Sequence, residues 1–315
     1  MSTGATTSKP SVLSTLAKEL PFDFLKNITD QFSRERILEE GSYGVTYKGI
    51  VPDGEVIAVK KLAENGPIPQ HKAFENEVVN IMKASHKNIV KLVGYCHEVH
   101  KRVLEEDGSY YIADIVESLI CYEYLPERSL HGNLFGHTSV DWSTRFKIIK
   151  GICDGLRFMH RIPIVHMDLK PENIWLDHNM VAKIANFGLS RLFGQDQTRL
   201  NTQNVVGSYG YIAPEYLDKG EISKQSDIYS LGLLMIEITT VEKNSPDSKE
   251  PSARIYIDKI RREWTPEHIA SKYSSLDAEC LHEVHTCIKI GLECVHIDPK
   301  KRPSIETIVD RLNAC

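Results

Sequence analysis

Apolar and polar residues alternate between residues 37 and 62, which is the pattern of half-buried β-strands. The stretch ILEEGSYGVTYKGIV (37–51) predicts a hairpin of two strands. Asp53-Gly54 is a strong turn sequence, and VIAVKKL (56–62) after it predicts a third strand. Two more apolar runs, NIVKLVGYC (88–96) and SLICYEYL (118–125), predict a fourth and a fifth strand.

Four longer segments carry apolar residues at intervals of three and four, which is the period of an amphipathic α-helix. One lies among the strands, HKAFENEVVNIMKAS, with Phe74, Val78, Ile81 and Met82 at helical spacing. The other three follow Leu125. They read STRFKIIKGICDGLRFMH, SDIYSLGLLMIEITTV and LHEVHTCIKIGLECV.

This pattern predicts an α+β protein with a small strand-rich lobe at 37–125, containing one main helix, and a larger helical lobe at 126–315. Residues 1–36 are expected to form a partly disordered N-terminal extension. Within it, VLSTLAKEL (12–20) could form a short helix.

The connection between the fourth and fifth strands, residues 97–117, is long for a hairpin. Its sequence EEDGSYY (105–111) indicates a small additional hairpin. Two interpretations of this insertion stay open. It is a solvated loop, as most insertions are, or it binds a partner.

Composition narrows the function classes. The net charge of -5 and the pI near 6.2 show no excess of positive charge, which argues against binding of nucleic acid. The longest apolar run, Ser230 to Val241, contains Glu237 and is too short to span a membrane. Seven scattered cysteines suit a reducing compartment, and MSTGATTSKP (1–10) lacks the apolar block of a signal peptide. We therefore expect a cytoplasmic protein without a membrane span.

Several short motifs carry candidate chemistry. Gly41 and Gly44 have the spacing of a phosphate-binding loop, Lys60 ends the apolar part of the third strand, and Glu77 lies on the following helix where it could pair with that lysine. Each signal is weak alone. The segment IVHMDLKPENIWLD (164–177) is more specific, and NFG (186–188) and APE (213–215) follow it in a fixed order.

Taken together, these ordered motifs between residues 37 and 310 resemble those of the protein kinases. Flanking details are similar to plant receptor-like kinases of the Pelle type. They are ITDQFS before the first strand, GYC on the fourth, DWSTRFKIIKGICDGL at the long helix, DIYSLG, and DPKKRPS near the end.

The resemblance implies ATP and magnesium as cofactors and assigns expected roles to residues. Lys60, paired with Glu77, would hold the α and β phosphates, Asp168 would orient the attacking hydroxyl, and Lys170 would stabilise the transferred phosphoryl group. Asn173 and Asn186 occupy the metal positions. The expected nucleotide-binding positions are Leu38, Gly41, Gly44, Thr46, Ala58, Tyr122 (the gatekeeper), Glu123, Leu125 and Trp175.

Three further positions have structural roles in this family. Asp227 would brace the catalytic loop, and Glu215 would pair with Arg302. Ser208, where kinases acting on serine or threonine usually have threonine, argues against tyrosine substrates.

The sequence departs from the family's pattern at five positions. Met167 replaces the arginine before the catalytic aspartate, and this replacement defines the non-RD kinases. In other kinases that arginine binds a phosphate group on the activation loop, so control by such a phosphate is not expected here. Asn186 replaces the metal-binding aspartate, although magnesium prefers charged carboxylate oxygen. Glu39 replaces the first loop glycine and brings negative charge toward the phosphates. Thr46 and Trp175 replace the valine above and the leucine below the adenine ring.

Two functions follow from these departures. The first is a pseudokinase, a signalling or scaffolding module that binds proteins while its phosphotransfer is weak or lost. The alternative is a low-activity Ser/Thr kinase in which Asn173 and Asn186 still hold a metal. The resemblance also implies protein partners, such as a receptor or a second kinase domain, and a role in plant immune signalling. The chain would then be a cytoplasmic kinase or a piece of a longer protein.

Overall fold

The computed structural model describes residues 17–127, 129–136, 140–194, 197–246 and 252–315. They form two compact units. The described part of the first comprises residues 17–78 and 91–124, and that of the second comprises 79–90 and the residues from Leu125 onward. The expected α+β composition is confirmed, because the first unit is built on one sheet and the second mainly on helices.

The first unit contains a six-stranded sheet with the order β1-β5-β6-β4-β3-β2. All neighbouring strands are antiparallel except β1 and β5, which are parallel. The predicted hairpin and third strand are confirmed. The strands are β1 (Lys18–Glu19), β2 (Ile37–Gly41), β3 (Gly44–Ile50), β4 (Val56–Leu62), β5 (Leu92–Glu106) and β6 (Ser109–Glu123).

The end of the N-terminal extension is part of this unit. Helix α1 (Phe22–Ile28) buries Phe22, Leu25 and Ile28 in an apolar cluster with side chains of the sheet, among them Val59 and Leu119. Burying such side chains is worth about 1.5–3 kcal/mol each, which explains the order of this segment. The prediction of a short helix at 12–20 is wrong for the residues that the structure describes, because Lys18–Glu19 is a strand. Residues 1–16, and the disorder expected there, lie outside the described residues.

Helix α2 (Gln70–Lys83) matches the predicted helix within the sheet region. Phe74, Val78 and Ile81 are buried as the spacing predicts, whereas Met82 is 49% exposed and does not belong to the buried face. The ring of Phe74 stacks on His97 of β5 with ring centroids 4.9 Å apart, which fixes the start of the helix against the sheet.

The hairpin expected at residues 105–111 is confirmed, because its strands pair up to Glu106 and Ser109. The insertion is not a loop, since β5 and β6 continue through it in register. Asp107 and Gly108 close it with positive φ angles of 50° and 76°, the conformation of a two-residue Asp-Gly turn. The insertion therefore lengthens one hairpin into a two-stranded ribbon.

The second unit is held together by long helices. Among them, α6 and α9 cross closely at Gly232 and Gly291, where a Cβ atom on Gly232 would lie 2.8 Å from the Gly291 carbonyl oxygen. The predicted helices are present. The helices are α3 (Leu130–Phe135), α4 (Trp142–Arg161), α5 (Pro214–Lys219), α6 (Lys224–Thr240), α7 (Arg254–Glu263), α8 (Pro266–Lys272), α9 (Ala278–Cys294) and α10 (Ile305–Asn313).

Three short antiparallel pairs complete this unit and support its loops. They are β7 (Ile164–Val165) with β10 (Arg191–Leu192), β8 (Ile174–Leu176) with β9 (Ala182–Ile184), and β11 (Leu200–Asn201) with β12 (Glu221–Ile222). None of the helices within the described ranges is both long and apolar enough to cross a membrane.

Candidate functional site

The first unit joins Lys60, Glu77 and Tyr122 in one buried group. Lys60 Nζ on β4 lies 2.9 Å from Glu77 Oε2 on α2, and the Tyr122 hydroxyl on β6 donates to Glu77 Oε1 at 2.5 Å. Burial, and then the Glu77 charge, raise the pKa of Tyr122 well above its usual value. The tyrosine therefore stays a donor, and the carboxylate is held from two strands.

Glu39, Thr46 and Lys60 lie in one row across β2, β3 and β4. Thr46 is directly opposite Glu39 on one side and Lys60 on the other, and directly opposite residues point to the same face of a sheet. The ring of Tyr43, in the turn between β2 and β3, also lies near this row, with its centroid 5.9 Å from Lys60 Nζ. The Glu39 carboxylate is thus on the face that presents the lysine.

The other predicted nucleotide-binding positions of this unit lie on the same sheet. Ala58 is directly opposite Tyr122, and both are buried. Leu38 lies at an irregularity of β2, Gly41 and Gly44 flank the β2–β3 turn, and Glu123 ends β6. Leu125 and Trp175 belong to the second unit; Leu125 is buried, and Trp175 is half-buried on β8 opposite Lys183.

In the second unit, the loop after β7 is fixed by the buried Asp227. Its carboxylate accepts the backbone N–H groups of His166 and Met167 at 2.8 and 2.9 Å and is 3.0 Å from His160 Nε2. Met167 has a φ of 71°, a conformation that a residue with a long side chain rarely adopts. The hydrogen bonds to Asp227 hold this unfavourable turn and so position the next residue, Asp168.

Asp168 is buried and accepts a hydrogen bond at each carboxylate oxygen. Ser208 Oγ donates to Oδ1 at 2.8 Å, and Asn173 Nδ2 donates to Oδ2 at 2.8 Å. Ser208 in turn accepts from Lys170 Nζ at 2.7 Å, while that ammonium lies 3.9 Å from Asp168 itself. The predicted catalytic residues of this unit therefore come together, and Ser208 connects them.

Asn186 extends this network. Its Nδ2 donates to Asn173 Oδ1 at 2.8 Å, from a backbone in the left-handed region with φ 71° and ψ 67°. The direction of these bonds is determined by Asp168, because a carboxylate only accepts hydrogen bonds. Asn173 must turn its NH₂ group to Asp168 and its oxygen to Asn186, so Asn186 must present its own NH₂ group.

This donor arrangement does not fit a magnesium ion. Magnesium needs oxygen ligands. Here the Asn173 side-chain oxygen already accepts a hydrogen bond, and the group of Asn186 that faces it is the NH₂ group rather than the oxygen. Among the three hydrogen-bonded residues Asp168, Asn173 and Asn186, Asp168 alone is a carboxylate. No cluster of three or more His, Cys, Asp or Glu side chains placed to hold a metal occurs in the part of the chain that the structure describes.

Glu215 and Arg302 form a second buried pair, as the sequence predicts. The two terminal guanidinium nitrogens, Nη1 and Nη2, each donate to the Glu215 carboxylate at 2.7 Å, and the Arg302 side chain is fully buried. Arg302 also donates to the backbone oxygens of Gln225 and His296. This pair ties α5 to the segment before α10 and belongs to the fold.

Two connections could not be found by motif matching. One is the Tyr122–Glu77 hydrogen bond. The other joins Asn80 on α2 to Ser190, with Nδ2 2.8 Å from Oγ. The sequence did contain one indication of the second connection, because Asn80 is a polar residue on the apolar stripe of the predicted helix. A buried amide there requires a hydrogen-bond partner.

A family model described as the protein kinase domain matches residues 32–312. The chain belongs to the protein kinase family. The kinase domain is 38% identical over 298 residues to cysteine-rich receptor-like protein kinase 6 of Arabidopsis thaliana, covering 92% of this chain and 42% of the relative. For cysteine-rich receptor-like protein kinase 10 of the same plant the identity is 37%, covering 94% of this chain and 43% of the relative.

A G-type lectin S-receptor-like serine/threonine-protein kinase of Arabidopsis thaliana is 38% identical over 303 residues, covering 93% of this chain and 34% of the relative. The kinase domain thus spans less than half the length of these curated relatives. The expected kinase fold and the similarity to plant receptor-like Ser/Thr kinases are confirmed. Kinases of this family use ATP and magnesium.

Proposed function

We propose that this chain is a signalling or scaffolding domain with a kinase fold whose phosphotransfer is weak or lost. The observation that carries the proposal is the hydrogen-bonded chain from Asp168 through Asn173 to Asn186. In this chain of hydrogen bonds, the side chains at the two metal positions, Asn173 and Asn186, are hydrogen-bonded to each other. These amide groups therefore have hydrogen-bond partners without a cation, whereas a carboxylate at position 186 would face the Asn173 oxygen with no hydrogen to donate.

Binding magnesium here requires the Asn186 amide to turn over and give up its bond to Asn173. The resulting ligand is neutral, so it supplies less attraction to a divalent ion than a carboxylate. If the missing charge removes about 4 kcal/mol of transition-state stabilisation, the rate falls roughly a thousandfold. Glu39 adds negative charge on the face of the sheet that presents Lys60, which opposes a triphosphate.

A low-activity Ser/Thr kinase is the alternative function. The Lys60–Glu77 ion pair and the link from Asp168 through Ser208 to Lys170 support it, because both have the geometry that phosphotransfer needs. The same contacts also have structural value, since the first joins β4 to α2 and the second joins two loops. A scaffold that keeps the kinase shape would retain them.

The relatives are named receptor-like kinases, and we propose protein partners of that kind, either a receptor or a second kinase domain, in the cytoplasm of a plant cell. Immune signalling is the pathway class that the resemblance to plant receptor-like kinases suggests. Recovery of the full-length protein from plant tissue, followed by identification of bound kinases, tests this. A protein ending at the same residues and bound to no kinase or receptor would contradict it.

The experiment that tests the proposed loss of metal binding uses Asn186→Asp. The new carboxylate would face Asn173 Oδ1, so the variant should be less stable alone and should recover stability with magnesium and ATP. A ligand at about one hundred times its dissociation constant adds about 2.7 kcal/mol to the free energy of unfolding. The measurement is the unfolding temperature with ATP, with and without magnesium.

Asn179→Asp is the matched control, because it adds the same charge on an exposed turn of the same unit. The natural protein and this control should show no magnesium-dependent shift. Phosphorylation of a serine-containing peptide should rise in Asn186→Asp and fall again when Asp168→Asn is added. A magnesium-dependent shift with peptide phosphorylation in the natural protein would establish the alternative function instead.

A further inference from the structure

The β5–β6 ribbon extends beyond the sheet that it belongs to. On one side β1 pairs with β5 only at Gly94 and Tyr95, and on the other β4 pairs with β6 only as far as Leu119. From His97 to the turn, β5 and β6 pair with each other, and within the described ranges no third strand covers either edge. Both edges therefore present backbone groups that a further strand could use.

One face of the ribbon carries a cluster of exposed apolar side chains between charged ones. Val103 and Ile112 are directly opposite each other and 67% and 68% exposed, and Val99 and Tyr110 on the same face are 58% and 72% exposed. The other face is partly covered, for example by the Phe22 ring 5.4 Å from His100. A cluster of this kind on one face marks an interaction surface more often than scattered apolar residues do.

The hydrogen-bonding pattern shows which residues of β5 can pair outward. The pair that closes a two-residue turn, Glu106 and Ser109, exchanges hydrogen bonds, and bonded and non-bonded pairs alternate from there. Lys101, Val103 and Glu105 are therefore in non-bonded pairs, and their backbone N–H and C=O groups point to the outer edge. The side chains of these residues lie on the face that carries the exposed apolar cluster.

The sequence of this edge is complementary to itself. Residues 101–106 read KRVLEE, with two cations, two apolar residues and two anions. If two copies pair antiparallel with Val103 opposite Val103, each Lys101 lies opposite Glu105 of the other copy. Centring the pair on Lys101 or on Glu105 places like charges opposite each other, which destabilises the pairing.

We propose that two copies of this chain associate through the β5 edges of their ribbons, antiparallel, with Val103 at the two-fold axis and Lys101 facing Glu105 of the second copy. The pairing makes a four-stranded sheet and joins the two exposed apolar clusters on one face. So short an edge buries less than the roughly 1,200 Å² of a standard stable interface, so the dimer is weak and concentration-dependent. The association involves only the first unit and does not depend on the proposed function.

Charge reversal tests the register as well as the association. Lys101→Glu or Glu105→Lys alone places like charges opposite each other twice per dimer, so each should raise the dimer dissociation constant at least about tenfold. Mixing the two single variants should restore association as a mixed dimer, because each glutamate at 101 then faces a lysine at 105. The double variant should restore self-association. The measurement is sedimentation velocity over a concentration series.

Asp114→Asn is the control for the ribbon itself. Lys101 Nζ lies 3.0 Å from Asp114 within one copy, so this variant removes the internal ion pair and should leave the dimer unchanged.

Val103→Pro removes the outward N–H group at the axis and should abolish association, with an unchanged circular dichroism spectrum showing that the fold is kept. The proposal is overturned if the natural chain is monomeric at all concentrations, or if the mixed single variants fail to associate.

Discussion

Tyr122 and Lys60 hold the same carboxylate from two strands of the sheet. The Tyr122 hydroxyl donates to Oε1 of Glu77 and the Lys60 ammonium to Oε2, so both oxygens have partners away from water. A buried carboxylate is stable only when it is hydrogen-bonded. Tyr122, expected from the sequence to be a gatekeeper beside the nucleotide, therefore also fixes helix α2 to the sheet.

Tyr122→Phe should lower the free energy of unfolding by about 2 kcal/mol, because a hydrogen bond to a buried charged group is lost while the ring stays packed. The measurement is the unfolding midpoint in urea. Tyr110→Phe is the control, since Tyr110 is 72% exposed on the ribbon and its hydroxyl should contribute less than about 0.5 kcal/mol. Equal effects of the two variants would contradict the proposed anchoring.

The motifs could be predicted from the sequence because each depends on residue types in a fixed order. Lys60, Glu77, Asp168 and Asn173 were found in this way, and the structure places them within two polar groups, one in each unit. The direction of the amide at Asn186 could not be predicted. It depends on which atom of Asn173 faces Asp168, and that follows only from the folded geometry.

The continuous strands of the ribbon and the N-terminal helix could not be predicted, for a different reason. Along the outward face of β5, Val99 and Val103 alternate with Lys101 and Glu105, so the strand lacks the apolar run that indicates a buried strand. Helix α1 is short, and its apolar residues gain stability only from the sheet they cover. Periodicity reports local preference, whereas both elements depend on contacts distant in sequence.

The two glycines of the expected phosphate loop should respond differently to substitution. A Cβ atom on Gly44 would lie 2.0 Å from the Lys61 carbonyl oxygen, at a φ of 137°, whereas one on Gly41 would meet no atom within 4 Å. Gly44→Ala should cost at least about 2 kcal/mol of stability, and Gly41→Ala should change it by less than about 0.5 kcal/mol. Urea unfolding without nucleotide measures both, and a harmless Gly44→Ala would show that the turn can rearrange.

Arg302→Met should be strongly destabilising. It leaves the Glu215 carboxylate buried without its two guanidinium donors, and breaking such a pair costs about 3–5 kcal/mol. Arg302→Lys should fall between this variant and the natural protein, because an ammonium cannot donate as a planar fork.

The control for Arg302 is Arg262→Met, which removes an exposed ion pair with the neighbouring Glu263. Exposed pairs contribute little, so its unfolding midpoint should stay close to that of the natural protein. If Arg302→Met were no more harmful than this control, the buried pair could not be a main support of the second unit.

Glu237 should make stability depend on pH. Its carboxylate is fully buried on α6, where it accepts from the Tyr211 hydroxyl at 2.6 Å and the Asn244 backbone N–H at 2.8 Å. Burial raises its pKa from 4.5 to about 7, despite these hydrogen bonds. The folded chain therefore binds this proton more tightly than the unfolded chain does.

A raised folded pKa contributes stability that is complete below pH 4.5 and is lost as the pH rises through about 7. Each unit of pKa shift equals about 1.4 kcal/mol, so the loss approaches about 3 kcal/mol by pH 8. Glu237→Gln keeps the shape and removes the titration. The difference in unfolding free energy between this variant and the natural protein should therefore grow in favour of glutamine from pH 5 to pH 8, as measured by urea unfolding at each pH. A difference that stays constant over that range would mean that Glu237 titrates alike in the folded and unfolded chains.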